Sequence, residues 1–225
     1  MTRSRRYRRQ PWLGPRDPLL RYAVVCGLLA MALTLWVGAS GAPLPGDVWL
    51  AKLVQDARGM RDVARLVNAA GNWTLQAAAA AIAVALTWSR GHPKRLRHEA
   101  LFAFAAGLFL RFWDQLLKSI VQSPRPAGNF GVRVDYLRDS YGFPSGHVYS
   151  DVLVYGLIAV FVAGFLPRWW AMALRTAVLA LLLLAGPARV YVGAHWPSDV
   201  IGGYLWGAAA LLMAVAFGRA AAKHV

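Results

Sequence analysis

Acidic side chains are scarce in this chain: ten Asp and Glu stand against 25 Lys and Arg, a formal net charge of +15. Cysteine is scarcer still, with Cys26 alone inside an apolar run. A single thiol excludes an intramolecular disulfide and leaves the redox compartment unreadable, so we take Cys26 as a packing residue. Charged residues of either sign make up only 16% of the chain, whereas 58% is hydrophobic and the mean hydropathy is +0.41. That balance excludes an ordinary soluble domain of 225 residues and points to a membrane protein. An excess of positive charge can signal nucleic acid. Here the cations cluster at the ends of apolar runs rather than along one soluble face, which suits a membrane surface and no nucleic-acid partner. No internal repeat, low-complexity tract or second domain is visible.

Six segments are apolar enough to be read as helices crossing the ~30 Å hydrocarbon layer. They run over residues 22–37, 73–88, 100–117, 147–166, 172–191 and 199–217. The second is short, the third carries Arg111 and Asp114, and the fifth carries Arg189. Between the first two, "DVWLAKLVQDARGMRDVARLVN" repeats Trp49, Leu53, Met60, Ala64 and Val67 near a 3.6-residue period, with Gly59 as a break. The expectation is an all-α, integral-membrane bundle of six transmembrane helices, with short amphipathic surface helices between spans one and two. Residues 1–21 form a basic tail, 22–217 the six-span domain and 218–225 a short second tail.

The run "RSRRYRRQPW" before the first apolar segment and "ASGA" after it resemble a secretory signal. The apolar run is longer than a usual signal core, so we expect an uncleaved first helix. Positive charge marks the cytoplasmic side of membrane proteins. With the N-terminus inside, inner segments hold 15 of the cations and outer segments nine, with Arg111 inside a span. Both termini are therefore expected in the cytoplasm.

Three polar patches remain: "KSIVQSPRP" at 118–126, "PSGH" at 144–147 and "RVYVGAHWPSD" at 189–199. The first ends span three, the second begins span four, and the third joins spans five and six, so all three face the outer side. Lys118, Arg125 and Arg189 are cations at the edge of the hydrocarbon, where isolated charge is costly, and few acids accompany them. Three converging cations suggest an anionic ligand, and the guanidinium fork suits phosphate oxygens. A helix beginning near Ser145 would turn its backbone N–H groups and its dipole toward the same space, and Gly146 would let a ligand approach closely.

His195 and Asp199 are four residues apart. If Pro197 starts the sixth helix, the carboxylate can turn back to the imidazole, fix its tautomer and leave the other nitrogen to attack. His147 is then a second acid or base. Two histidines and a carboxylate could instead bind a metal, but the surrounding cations would repel a divalent ion. We expect neither metal nor cofactor. Asp114, four residues before Lys118, could pair with it, and Asp151, four after His147, could tune that histidine. Taken singly, each residue has a plain structural reading: Lys118 as a snorkelling cation, Ser145 as a helix cap, either histidine as an interface side chain.

Together, Lys118 with Arg125-Pro126, Pro144-Ser145-Gly146-His147, and Arg189 with His195 and Asp199 resemble, in residue type and spacing, the three signature motifs of the type 2 phosphatidic acid phosphatase (PAP2) superfamily, which also includes vanadium haloperoxidases. The resemblance covers roughly residues 49–217. It implies a membrane lipid phosphatase in which His195 attacks phosphorus to form a phosphohistidine and Asp199 orients it. His147 would protonate the leaving oxygen and later activate water. Lys118, Arg125, Ser145, Gly146 and Arg189 would hold the phosphoryl group, without metal. The third motif of that family commonly begins Ser-Arg, and here it is Ala188-Arg189, which removes a possible hydroxyl contact. The substrate implied is a lipid phosphate in the bilayer: polyprenyl diphosphate, phosphatidylglycerophosphate, phosphatidic acid or phosphorylated lipid A. A vanadate-dependent haloperoxidase and a non-catalytic phospholipid-binding or transport protein are the other readings.

Overall fold

A computed structural model describes residues 18–88, 93–135 and 139–223. Most of the expected basic tail and its cations, together with Arg90 and Arg138, lie outside the described residues. The described chain is helical and, among these residues, has no strand.

Among the described residues nine α-helices follow in order: α1 Pro18–Ser40, α2 Asp47–Gln55, α3 Met60–Ala70, α4 Trp73–Trp88, α5 Lys94–Leu110, α6 Trp113–Val121, α7 Gly146–Phe161, α8 Arg168–Tyr191 and α9 Pro197–Ala221. A 3₁₀ turn, Val162–Gly164, extends α7. By length and composition α1, α5 with α6, α7, α8 and α9 can each cross a membrane. The sixth candidate is not a straight span. At 16 residues α4 is short, and it qualifies only with α3, to which it is bent by 57°. Asn72 makes that bend, its Oδ1 accepting the Thr74 N–H at 2.9 Å as α4 begins.

The third expected span is present as one 28-residue run, Lys94–Val121, with a local interruption of its helix. Residues 100–117 divide into α5 and α6 at Arg111 and Phe112. Leu110 O, the last carbonyl of α5, accepts the Tyr149 hydroxyl from α7, and Arg111 turns to Asp114 at 3.1 Å. Hydropathy cannot register such a break, because both halves stay apolar.

The amphipathic helices before α4 exist, and Gly59 separates them with φ of +77°. The expected apolar residues divide between a protein-facing and an outward side. Ala64 and Val67 are buried against α8, whereas Trp49 and Leu53 point outward, and Asp47 and Ala51 take the inner face of α2. Outward Trp and Leu suit a helix with hydrocarbon on one side.

Helix α9 is the centre of the bundle, packing on α1, α5 and α7. Its Gly203 and Gly207, spaced as in close helix pairs, bring α9 against α7, where a Cβ on Gly203 would come within 2.7 Å of Ser145 O. Asp199 lies one turn before Gly203, so this packing places it beside the start of α7. In α8, Pro187 stands two residues before Arg189 of the site and cannot donate within the helix. The Tyr204 hydroxyl enters the helix there, accepting the Gly186 N–H at 2.9 Å and donating to Leu182 O.

Candidate active site

The three sequence patches converge at the end of α6, the start of α7 and the α8–α9 turn. Pro197 does begin α9, and Asp199 Oδ2 lies 3.4 Å from His195 Nδ1. The same oxygen accepts the Trp196 N–H at 3.0 Å, which fixes the carboxylate rotamer. On the other side of the ring, Arg125 Nη1 stands 3.1 Å from His195 Nε2. A guanidinium can only donate, so Nε2 holds a lone pair and the ring proton sits on Nδ1, toward Asp199. Arg125 is itself anchored to Ala194 O at 2.5 Å, Ser140 O at 2.6 Å and Ser140 Oγ at 2.9 Å.

His195 is buried, 2% exposed. Burial first, then the nearby charges of Arg125, Arg189, Lys118 and His147, hold its imidazole well below the usual histidine range. The ring is therefore neutral near pH 7. The same four residues are those that the motifs were expected to bring to it.

Lys118 Nζ bonds Asp114 Oδ2 at 3.0 Å, so the expected i,i+4 pair is formed. Asp114, fully buried, also accepts from Arg111 at 3.1 Å and Gln115 at 3.0 Å. This cluster lies against Gly146, where a Cβ would strike Asp114 Oδ2 and stand 2.7 Å from Lys118 Nζ. Glycine at this place is thus required for lysine to reach the mouth of α7. Ser145 occupies the N-cap position, yet its side chain makes no capping bond, and its buried Oγ has no hydrogen-bond partner among the described residues. Its N–H donates to Asp199 O at 2.9 Å, joining α7 to α9 directly.

Arg189, 2% exposed, donates to Asn68 Oδ1 of α3 at 2.9 Å. Ala188 is fully buried beside it. His147 meets the α3–α4 bend: a Cβ on Gly71 would lie 3.1 Å from His147 Cδ2 and 3.4 Å from either carboxylate oxygen of Asp151. Asp151, on the same side as His147, accepts from Gln76 Nε2 at 2.7 Å, and Gln76 also reaches Ser150 Oγ at 3.1 Å. Sequence reasoning missed Asn68, Gln76 and Ser140. They belong to no motif, and only folding brings residues as far apart as 68 and 189 together.

An apolar cavity of about 760 Å³ opens between α4, α5 and α7. Ala77, Ala80, Val84, Phe104 and Leu157 form its walls, and Gln76 and Arg111 form its polar end, next to the cluster just described. Among the described residues, no group of three or more His, Cys, Asp or Glu is arranged to hold a metal.

Residues 96–222, more than half of the sequence, match the family model of the PAP2 superfamily. The chain belongs to this superfamily. Within it, the chain is 33% identical over 99 residues to phosphatidylglycerophosphatase B of Bacillus subtilis, covering 43% of this chain and 47% of that protein. It is 44% identical over 78 residues to the lipid A 1-phosphatase of Rhizobium johnstonii, covering 34% and 28%. It is 34% identical over 125 residues to human dolichyldiphosphatase 1, covering 51% and 50%. The matched regions span about half or less of these PAP2 relatives. A solved structure with the same fold is the transmembrane PAP2-type phosphatidylglycerolphosphate phosphatase from Bacillus subtilis, at TM-score 0.72 and 21% identity, covering 86% of this chain and 94% of that one.

Proposed function

We propose that this PAP2 protein is an integral membrane phosphatase that removes the terminal phosphate of a lipid phosphate or diphosphate. One observation carries the reading. A buried, neutral His195 stands between Asp199 and Arg125, within the field of Lys118, Arg189 and His147.

In the proposed first step the Nε2 lone pair attacks phosphorus. The N–P bond forms as the P–O bond to the lipid breaks, its electron pair leaving with oxygen, which takes a proton from His147. Asp199 stabilises the cationic ring. In the second step His147 takes a proton from water, the oxygen attacks phosphorus, and the N–P bond breaks to release inorganic phosphate. Lys118, Arg125 and Arg189, with the Ser145 hydroxyl and the Gly146 N–H, balance charge on the equatorial oxygens throughout. Asp114 sets Lys118, and Asp151 sets His147. Because Arg125 engages Nε2 at rest, a phosphoryl group must draw the guanidinium toward its own oxygens before attack.

The apolar cavity is the place for the lipid tail, since its polar end adjoins this site. The active site faces the outer side of the membrane, with both termini in the cytoplasm. Polyprenyl diphosphate, phosphatidylglycerophosphate, phosphatidic acid and phosphorylated lipid A are the candidate substrates. The test is phosphate release from that panel in detergent, with and without EDTA. Release that survives EDTA is expected; no release from any member, or loss of it with EDTA, contradicts the reading.

A further inference from the structure

Asp47 belongs to none of the three motifs and lies outside the segment that matches the family, yet it is only 4% exposed. It sits in the first turn of α2 and reaches across 151 positions to the first turn of α9. Its Oδ1 accepts the Ser198 N–H at 2.8 Å. Its Oδ2 accepts the Ser198 hydroxyl at 2.6 Å and the Leu44 N–H at 2.8 Å. The helix needs such a partner. The N-cap residue of α9 is Trp196, which has no side-chain oxygen, and Pro197 has no N–H, so Ser198 carries the first backbone donor that must be satisfied. A carboxylate at a helix N-terminus also meets the positive end of the dipole.

We propose that Asp47 is a positioning residue for the His195–Asp199 pair. Within α9, Asp199 Oδ2 serves the Trp196 N–H; Asp47 supplies from α2 the acceptor for the next donor, the Ser198 N–H, and thereby holds the turn from His195 to Asp199 in register. Asp199 follows Ser198 directly, and its Oδ2 already sits at the long limit of reach from His195 Nδ1, at 3.4 Å. Any loosening of the first turn lengthens that contact first. The substitution Asp47→Asn keeps one acceptor oxygen but turns an NH₂ toward the Leu44 N–H, so it weakens the cap without emptying it. Helix α2 is thus part of the catalytic frame rather than a peripheral surface helix.

The proposal rests on the phosphatase reading for its kinetic arm only. Asp47→Ala, Asp47→Asn and Ser198→Ala are compared with the full-length wild-type protein in detergent. Against a lipid phosphate the expected effect is a fall in kcat of roughly 10- to 10²-fold for Asp47→Ala, a smaller fall for the other two, and KM within about twofold. The second arm is ¹⁵N-histidine NMR, with the His195 signal assigned by its loss in His195→Ala. Wild type should show a neutral ring protonated on Nδ1, and the Asp47 and Ser198 variants should show that signature averaged or lost. If Asp47→Ala fails to fold, Asp47→Asn and Ser198→Ala carry both arms. Unchanged kcat and an unchanged His195 signal in those variants, with only a lower melting temperature, would overturn the proposal. So would a raised KM at constant kcat. A wild type that releases no phosphate sinks the phosphatase reading but leaves the NMR comparison to decide the role of Asp47.

Discussion

Arg125 Nη1 lies 3.1 Å from His195 Nε2, so the guanidinium donates to the lone pair proposed to attack phosphorus. Three further bonds, to Ala194 and Ser140, orient its fork beside the ring. Lysine can reproduce the charge but not the fork. Arg125→Lys should therefore lower kcat/KM by roughly 10²-fold while leaving the melting temperature within a few degrees. Steady-state kinetics beside a thermal melt checks this; activity within threefold of wild type would show that charge alone suffices.

The depressed pKa of His195 has a definite sign in stability. Unfolded, the ring takes a proton near pH 6.5; folded, it stays neutral to lower pH. Acidification below about 6.5 therefore favours the unfolded chain, and the fold loses at most about 1.4 kcal/mol per pH unit through this group until its folded value is reached. Above 6.5 the group contributes no slope. Melting temperature measured from pH 8 to 5 should fall more steeply for wild type than for His195→Ala. The acid limb of kcat/KM attributable to the nucleophile should likewise lie below 6.5.

Gly146 is held by its neighbours rather than by its own backbone angles. A Cβ there meets the Asp114 carboxylate and the Lys118 ammonium, both fixed in a buried cluster. Gly146→Ala should cost at least tenfold in kcat/KM, because either Lys118 or the start of α7 must move. Phosphate or vanadate affinity, measured alongside, should weaken by a comparable factor. A variant with normal kinetics and normal anion affinity would show that the cluster yields freely.

The order of the apolar spans made the convergence legible. Lys118, Arg125, Arg189 and His147 lie near enough to His195 to bear on its charge, and of the two i,i+4 readings the Asp114–Lys118 pair is formed, whereas Asp151 is bonded by Gln76. Helix existence was legible too, because apolar runs of this length have few other uses. Breaks within apolar runs were not, since the α5–α6 break depends on Tyr149 and Arg111 finding distant or local partners that leave no hydropathy signal. The protein-facing side of α2 was not legible, for a related reason. In a bilayer large apolar residues such as Trp49 can point outward, and the buried face went to Asp47 and Ala51. Asn68, Gln76 and Asp47 could not be found by pattern, because each acts only through a residue far along the chain.

The cavity between α4, α5 and α7 distinguishes tail recognition from headgroup chemistry. Ala80 lies on its wall and is none of the proposed catalytic groups. Ala80→Trp should raise KM about tenfold or more for a long-chain lipid phosphate and leave a short-chain, water-soluble analogue nearly unaffected. Equal effects on both substrates would place the tail elsewhere.

In the proposed reaction His195 becomes phosphorylated. A lipid phosphate labelled with ³²P in its terminal phosphoryl group, quenched within the first turnover and followed by peptide mapping, reads this directly. Label is expected on the peptide containing His195 in wild type and none in His195→Ala. Label on another residue, or phosphate release by His195→Ala at the wild-type rate, would contradict it.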